Sequence, residues 1–421
     1  MQIESMQLVG LVWYKRNNMN KICIISDEYP PIVAGGAGAI AAEQAEGLVA
    51  QGYTVTVITR CAQAQDEGVI QYNGVRVIRI HSSYPNIFRQ WVGVLNLSML
   101  IKANNVLRKE APDLIHIHNI HTYFSFAICY LSQKIAPTFF TAHDAMTVSS
   151  TKVSHAHKIT VREKLSFARF SWNPFRESFI RCLIRNVKIS TVSNALKQVL
   201  EMNNVVVDTV IHNGIDVNKF NQANINLDLV KDLNKEFLLS EDTRYILFGG
   251  RASAAKGVYV AMQAMPEIRR KFPQTQLLLV GVPLAEQEKL NDFAQSNSLV
   301  GTFKCINWLP RERMPLVYAR SSAVVVPSQY IDPLPTVIIE AMASGVPVVA
   351  TNRGGAAELV SDEFGYVGNP DSTFIAQSII EILNNPAGAE QKVHRAQERA
   401  LRLFSRSAFI QRVVSWYDKY K

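Results

Sequence analysis

At 421 residues the chain exceeds one ordinary core and suits two domains of about 200 residues each. Its 48% hydrophobic and 19% charged residues exclude a disordered chain. It is basic, at +9, and its five cysteines (Cys23, Cys61, Cys129, Cys182, Cys305) lie scattered without a Cys-x-x-Cys pair, which argues against a disulfide framework or zinc site.

Residues 1–20 read as a loose extension, with Met19 an alternative start. The apolar patch Leu8 to Trp13 has no basic stretch before it, so no secretory signal is expected. No apolar run reaches the roughly 18 residues that span a bilayer. The expected location is the cytoplasm, which the cysteine usage also fits.

From Lys21 onward, short apolar and β-branched runs alternate with helical patterns. Lys21–Asp27, Tyr53–Thr59, Val75–Ile80, Asp113–His118, Pro137–Ala142 and Lys188–Ser193 read as buried strands. Ala37–Gln51 and Gln90–Glu110 are long enough for helices between them. Such alternation marks a parallel sheet covered on both faces.

Lys152 to Lys188 holds nine Lys or Arg against Glu163 and Glu177, interleaved with Phe167, Phe170, Trp172, Phe175 and Phe179. One reading is a solvated helix pair with its aromatics in the core. Another is peripheral contact with an anionic membrane, rings in the interface and charges on headgroups. No nucleic-acid motif accompanies the segment, so no nucleic-acid partner is expected.

Asn213-Gly214 is a turn dipeptide, and the segment Asp216 to Asp242 after it is polar. The pattern then restarts with strands at Tyr245–Gly249, Gln276–Gly281, Phe303–Ile306, Ala323–Val326 and Pro347–Ala350. Helices are expected at Val258–Lys271, Thr336–Ala343 and Phe374–Leu383. This gives an α/β domain over 20–212 and another over 213–404. The amphipathic tail, 405–421, is expected to pack back on the first.

The sharpest chemistry lies in the second half. A strand ends in Gly249-Gly250-Arg251, and Lys256-Gly257 stands at the mouth of the next helix. Helix N-termini offer unpaired N–H groups and partial positive charge, and Arg and Lys add charge-assisted hydrogen bonds, so the turn suits a diphosphate. Solvated surface charge is the plain alternative. Further on, Asp332-Pro333-Leu334-Pro335-Thr336 opens the helix that carries Glu340. A loop acid and a helix acid suit sugar and ribose hydroxyls. Equally, Asp332 reads as a helix-initiating acid and Glu340 as a surface or ion-paired residue.

Together, Gly250-Arg251…Lys256-Gly257, Pro327-Ser328, Asp332-x7-Glu340-Ala341-Met342-Ala343-Ser344-Gly345 and Gly354-Gly355-x-x-Glu358 resemble glycosyltransferase family 4. The match in order and spacing covers residues 245–367. The first half matches more loosely, through Gly35-Gly36-Ala37-Gly38, Thr141-Ala142-His143-Asp144 and His212-Asn213-Gly214-Ile215-Asp216. The resemblance implies the GT-B fold, two Rossmann-like doubly wound domains facing across a cleft. It implies a retaining, metal-independent transferase of the hexosyl type, with no cofactor beyond a UDP- or GDP-linked sugar as substrate. Arg251 and Lys256 would hold the donor diphosphate, Glu340 the ribose, and Asp332 the transferred sugar. Gly35, Gly36 and Gly38 would close over the phosphates beside Gly250, and Leu334, Thr336 and Val337 would supply amides. His143 would lie beside the sugar, or be a satisfied histidine at a strand end.

Two departures stand out. The family usually has Glu where Asp332 stands, and often Gly where Pro335 stands. The basic, aromatic segment Lys152 to Lys188 points to a glycan or lipid-linked acceptor.

Rival readings are a GT-B sugar epimerase or phosphorylase and a non-catalytic sugar-nucleotide-binding protein. A nicotinamide-dependent oxidoreductase is a further one, since Gly36-x-Gly38-x-x-Ala41 satisfies the dinucleotide fingerprint. That fingerprint belongs directly after the first strand, however, and here Glu28 to Ala34 intervene. His116, His118 and His121 tempt a metal site, but no further ligand cluster completes one.

Overall fold

The computed structural model describes residues 20–31, 35–149, 153, 156–160, 163 and 175–420. The extension 1–19 and, within the basic segment, residues 152, 154–155, 161–162 and 164–174 therefore lie outside the described residues. Of that segment's aromatics, Phe175 and Phe179 are described, and both are exposed.

Two sheets organise the chain. The first contains β1 (Lys21–Ser26), β2 (Thr54–Cys61), β3 (Gly68–Tyr72), β4 (Val75–His81), β5 (Leu114–Ile117), β6 (Thr138–Ala142), β7 (Lys188–Thr191) and β8 (Thr209–Val210). Its order is β3-β4-β2-β1-β5-β6-β7-β8, parallel except for the β3–β4 hairpin. The second contains β9 (Arg244–Phe248), β10 (Thr275–Val280), β11 (Phe303–Ile306), β12 (Ser321–Val326), β13 (Val348–Thr351) and β14 (Tyr366–Gly368), in the order β11-β10-β9-β12-β13-β14. A parallel strand is covered on both faces and needs unbroken apolar sequence. Ile22 to Ile25 and Ala323 to Val326 supply it, each residue at most 2% exposed.

Setting aside the hairpin strand β3 and the short β8, both sheets run in the doubly wound order 3-2-1-4-5-6. Each sheet therefore has a switch point where connections leave in opposite directions, between β1 and β5 and between β9 and β12. Ligands bind in such crevices, beyond the carboxyl ends of the strands.

Two expectations change in detail. The single helix anticipated over Gln90–Glu110 is two pieces, Arg89–Val92 and Leu97–Glu110. Gly93 is the break: a Cβ there would lie 2.5 Å from the His121 carbonyl oxygen, and Asn96 then caps the second piece through Met99 N. The polar stretch after Asp216 carries a helix of its own, Leu227–Glu236, begun by the Asn226 side chain accepting from Asp228 N at 2.9 Å.

The helix Arg406–Asp418 lies on helix Gly36–Ala50 of the first half. Gly47 permits the contact, since a Cβ there would meet Ile410 Cγ1 at 2.5 Å. Arg406 binds Glu43 and Glu46, and Tyr417 reaches Gln44 and His116. Among the described residues no helix is long and apolar enough to cross a membrane.

Candidate active site

The loops leaving β9 and β12 meet at the second switch point. Gly257 has φ +82°, and a Cβ there would sit 2.0 Å from the Pro327 carbonyl oxygen, so only glycine lets the loops touch. Gln329 N donates to the Ala255 carbonyl at 2.9 Å and fastens them. This closure brings Lys256 and Asp332 together, with Nζ 2.5 Å from Oδ2. Ser328 Oγ donates to the same carboxylate oxygen at 2.9 Å. Burial works against the Lys256 charge, but Asp332 and Tyr330 outweigh it, and the pKa rises above the usual lysine value. Tyr330, with Lys256 Nζ 5.4 Å from its ring centre, is pushed up by burial and by Asp332. Arg251 is exposed at this rim, close enough for its charge to lower the Tyr330 pKa in part.

Asp332 is 4% exposed and does not start the following helix, whose cap position is Pro335. The helix-initiating alternative is thus removed. A glycine pair holds the acid from behind. Gly354, at φ +68°, would place a Cβ 2.3 Å from the Asp332 carbonyl oxygen, and Gly355 would place one 2.0 Å from that of Pro333. Gly355 N donates to the Asp332 carbonyl at 2.8 Å.

Glu340 lies in the helix Thr336–Ala343 and is 5% exposed, which removes its surface alternative. Arg311 donates to its Oε1 at 2.9 Å and Tyr318 to its Oε2 at 2.8 Å. Each oxygen keeps a further lone pair for a ligand hydroxyl. Burial and the neighbouring Glu340 raise the Tyr318 pKa well above its usual value, so the phenol stays a donor. Leu334 is buried behind the loop, while Gly249 packs against Val326 and Val337.

At the first switch point Asp27 accepts from the backbone N–H groups of Thr122, Tyr123 and Phe124 at 2.8–3.0 Å, fixing the loop after β5. Gly35 is the extended cap of helix Gly36–Ala50, whose first turn receives no side-chain cap. Gly38 packs on the Glu28 backbone, with 2.9 Å available to a Cβ, whereas Gly36 has open space.

His143, at the end of β6, stacks on His118 and meets it ring nitrogen to ring nitrogen at 2.9 Å. His118 stacks in turn on His116, which is bonded to Gln44, Tyr417 and Thr141. Burial drives the His143 pKa down to about 4, that of His116 to about 3 and that of His118 well below its usual value. All three are neutral at pH 7. His121 faces Asp144 instead, at 3.7 Å. Among the described residues no group of three or more His, Cys, Asp or Glu is placed to hold a metal.

Among the described residues, backbone and side-chain hydrogen bonds join the halves at Ile331 and at Glu358. Ile331 N donates to the Val153 carbonyl at 2.8 Å. Glu358 accepts from Asn194 N, Ala195 N and the Asn194 amide at 2.8–2.9 Å, and from His212 Nε2 at 3.0 Å. Burial opposes that charge, but these donors win and the Glu358 pKa falls below the usual range.

The structure thus assembles Arg251, Lys256 and Asp332 at one loop pair, with Glu340 on the helix that follows. It places His143 and the glycine loop on the opposite sheet. The sequence motif included Ser328 without giving it a role, and it is Ser328 that anchors Asp332. Tyr330, beside Lys256, and Arg311 and Tyr318, which anchor Glu340 from another element, were given no role in the sequence reading.

The description "Glycosyl transferases group 1" matches residues 230–402, and "Glycosyltransferase Family 4" matches residues 34–219. The chain belongs to glycosyltransferase family 4. It is a glycosyltransferase, and its two sheets are those of the GT-B fold. An uncharacterised glycosyltransferase of Methanocaldococcus jannaschii is 28% identical over 413 residues, 94% of this chain and 97% of its own. The glycogen synthase of Mycobacterium tuberculosis is 26% identical over 400 residues, 90% of each chain. Among solved structures, sucrose-phosphate synthase from Thermosynechococcus elongatus superposes with a TM-score of 0.76 at 22% identity, covering 95% of this glycosyltransferase and 99% of that chain. Anabaena HepE, solved with UDP and glucose, gives 0.71 at 19% identity over 95% and 100%.

Proposed function

We propose that this glycosyltransferase transfers a hexosyl group from a UDP- or GDP-linked donor, with retention of anomeric configuration and without a metal ion. Lys256 and Arg251 hold the diphosphate, Glu340 the ribose hydroxyls and Asp332 the sugar. Gly250, Leu334, Thr336 and Val337 border the nucleotide, and Gly35, Gly36 and Gly38 approach the phosphates from the other half. His143 gives the sugar a neutral hydrogen bond. The observation that carries this reading is the Lys256–Asp332 pair, a cation and an acid fixed at the switch point by glycines that admit no side chain.

The chemistry follows from charge. Breaking the anomeric C–O bond leaves its electron pair on the diphosphate and positive character on the sugar ring. Lys256, Arg251 and the helix end at Gly257 lie where negative charge grows, so stabilisation there lowers the barrier. Closure of the halves excludes water and presents the acceptor hydroxyl to the same face of the ring. HepE was solved with UDP-glucose, and that precedent supports a donor of this type. A glycan or lipid-linked acceptor is the companion proposal, with the basic stretch 152–188 resting on an anionic membrane surface in the cytoplasm.

A donor panel with product analysis tests this. Free nucleoside diphosphate plus a glycoside whose anomeric coupling matches the donor is the expected outcome, unchanged by a chelator. An inverted product, an isomerised donor without transfer, or loss of activity in chelator overturns the corresponding part.

A further inference from the structure

A pocket of about 380 Å³ lies where helix Arg406–Asp418 runs beside β8, away from the loops that carry Lys256 and Asp332. Arg402, Arg412 and Lys419 line it with Gln411, Ser415 and Trp416, and none of its lining residues is an acid. Arg412 decides its character. The side chain is half-buried, donates to the His212 carbonyl at 3.2 Å, and has an Nε with no partner among the described residues. Burial lowers its pKa below the usual arginine value with no acid to offset it. Arg406 on the same helix shows the contrasting arrangement, with Glu43 at 2.6 Å and Glu46 at 3.0 Å.

A cation drawn out of water without a counter-ion is costly, and an anion relieves that cost. Guanidinium forks match phosphate oxygens in particular. Ser415 and Gln411 add neutral groups suited to ligand hydroxyls.

The pocket also straddles the crossover of the chain. Arg402 stands on helix Pro386–Phe404, which packs against the Glu340 helix, whereas Arg412 stands on, and Lys419 directly follows, the helix that packs against Gly36–Ala50. An anion bridging these cations ties elements of both halves together. Through Arg412 it touches His212, whose imidazole pairs with Glu358 across the domain junction.

We propose that this pocket is a regulatory site for a small phosphate monoester of hexose-phosphate size, separate from the donor cleft, and that its occupancy biases how the halves close. The idea does not depend on which donor the cleft takes.

Calorimetric titration of the full chain with a hexose 6-phosphate and with inorganic phosphate tests it. One saturable site is expected for the ester, weakened about tenfold or more in Arg412→Gln, with binding of the nucleoside diphosphate unchanged. Lys256→Gln should show the converse, losing the nucleoside diphosphate and keeping the ester. Transfer by the unmodified protein should change at least about twofold on adding the ester, a response absent in Arg412→Gln. If Arg412→Gln fails to fold, the exposed Arg402→Gln takes its place. No saturable binding of the ester overturns the proposal. So does ester binding lost in Lys256→Gln but kept in Arg412→Gln, which assigns it to the cleft, or binding to phosphatidylserine vesicles with none to the soluble ester.

Discussion

The second switch point is built from charge: Lys256 and Asp332 lie 2.5 Å apart, and Arg311 meets Glu340 at 2.9 Å. The first, on a sheet of the same strand order, is built from neutral rings: His118 and His143 meet at 2.9 Å, and burial keeps both uncharged. An ion pair can exchange its partner for a ligand of the same sign, because each charge stays compensated throughout. A neutral imidazole pair cannot trade charge, but it holds its geometry unchanged across physiological pH. One topology thus supports two kinds of recognition, and the side chains at the strand ends decide which.

Removing the charge at the second site gives the largest expected effect. Lys256→Gln should lower kcat/KM for transfer about 10²–10³-fold. It also leaves Asp332 buried without its cation, at a cost of about 3–5 kcal/mol in unfolding free energy. Steady-state kinetics and urea melts check both, and near-normal turnover would refute the charged-site account.

The neutral site predicts a pH effect with a definite sign. Below about pH 6.5 the unfolded chain protonates these histidines while the folded chain does not, down to about pH 4 for His143. Stability is therefore expected to fall as pH drops through that window, by up to about 1.4 kcal/mol per pH unit for each histidine involved. Melts at pH 5 and pH 7, repeated on His118→Asn, read this directly. An unchanged slope in the variant would show that the rings titrate normally.

Glu340→Gln separates the two acids of the charged half. It keeps the shape and loses the charge, so KM for the donor should rise about tenfold with kcat changing less. An effect confined to kcat would move Glu340 from binding to the reacting centre. The smallest effect is expected at the junction. Glu358→Gln weakens charge-assisted bonds to Asn194 and Ala195 and should lower stability by about 1–2 kcal/mol. Because the Glu358 pKa is depressed, its contribution is present above the usual carboxylate range and lost as pH falls through the folded value. The gap between wild type and variant in thermal melts should close in acid.

Much of the fold was legible because buried parallel strands require consecutive apolar residues. Helix Thr336–Ala343 and strand Phe303–Ile306 appear with the bounds read from the sequence. The edge elements were not, because they lack that constraint: β3 is a half-exposed hairpin strand and β8 has two residues. Within the site, Arg251, Lys256, Asp332 and Glu340 stood out through spacing along one stretch of chain. Their partners did not, since Arg311 and Tyr318 reach Glu340 only once the sheet has formed. The His116–His118–His143 stack was half visible. Alternation on β5 puts two rings on one face, but only the pairing of β5 with β6 brings the third.

The helix Arg406–Asp418 has a consequence for biosynthesis. Its Tyr417, Trp416 and Ile410 fill space against residues of the first half, among them His116, Phe139 and Gly47. A ribosome delivers those first-half residues early and the helix only after every strand of the second sheet has emerged. The half that is synthesised first is therefore completed last. Until then its surface at Gly47 and His116 stays bare, a natural foothold for chaperones on the nascent chain.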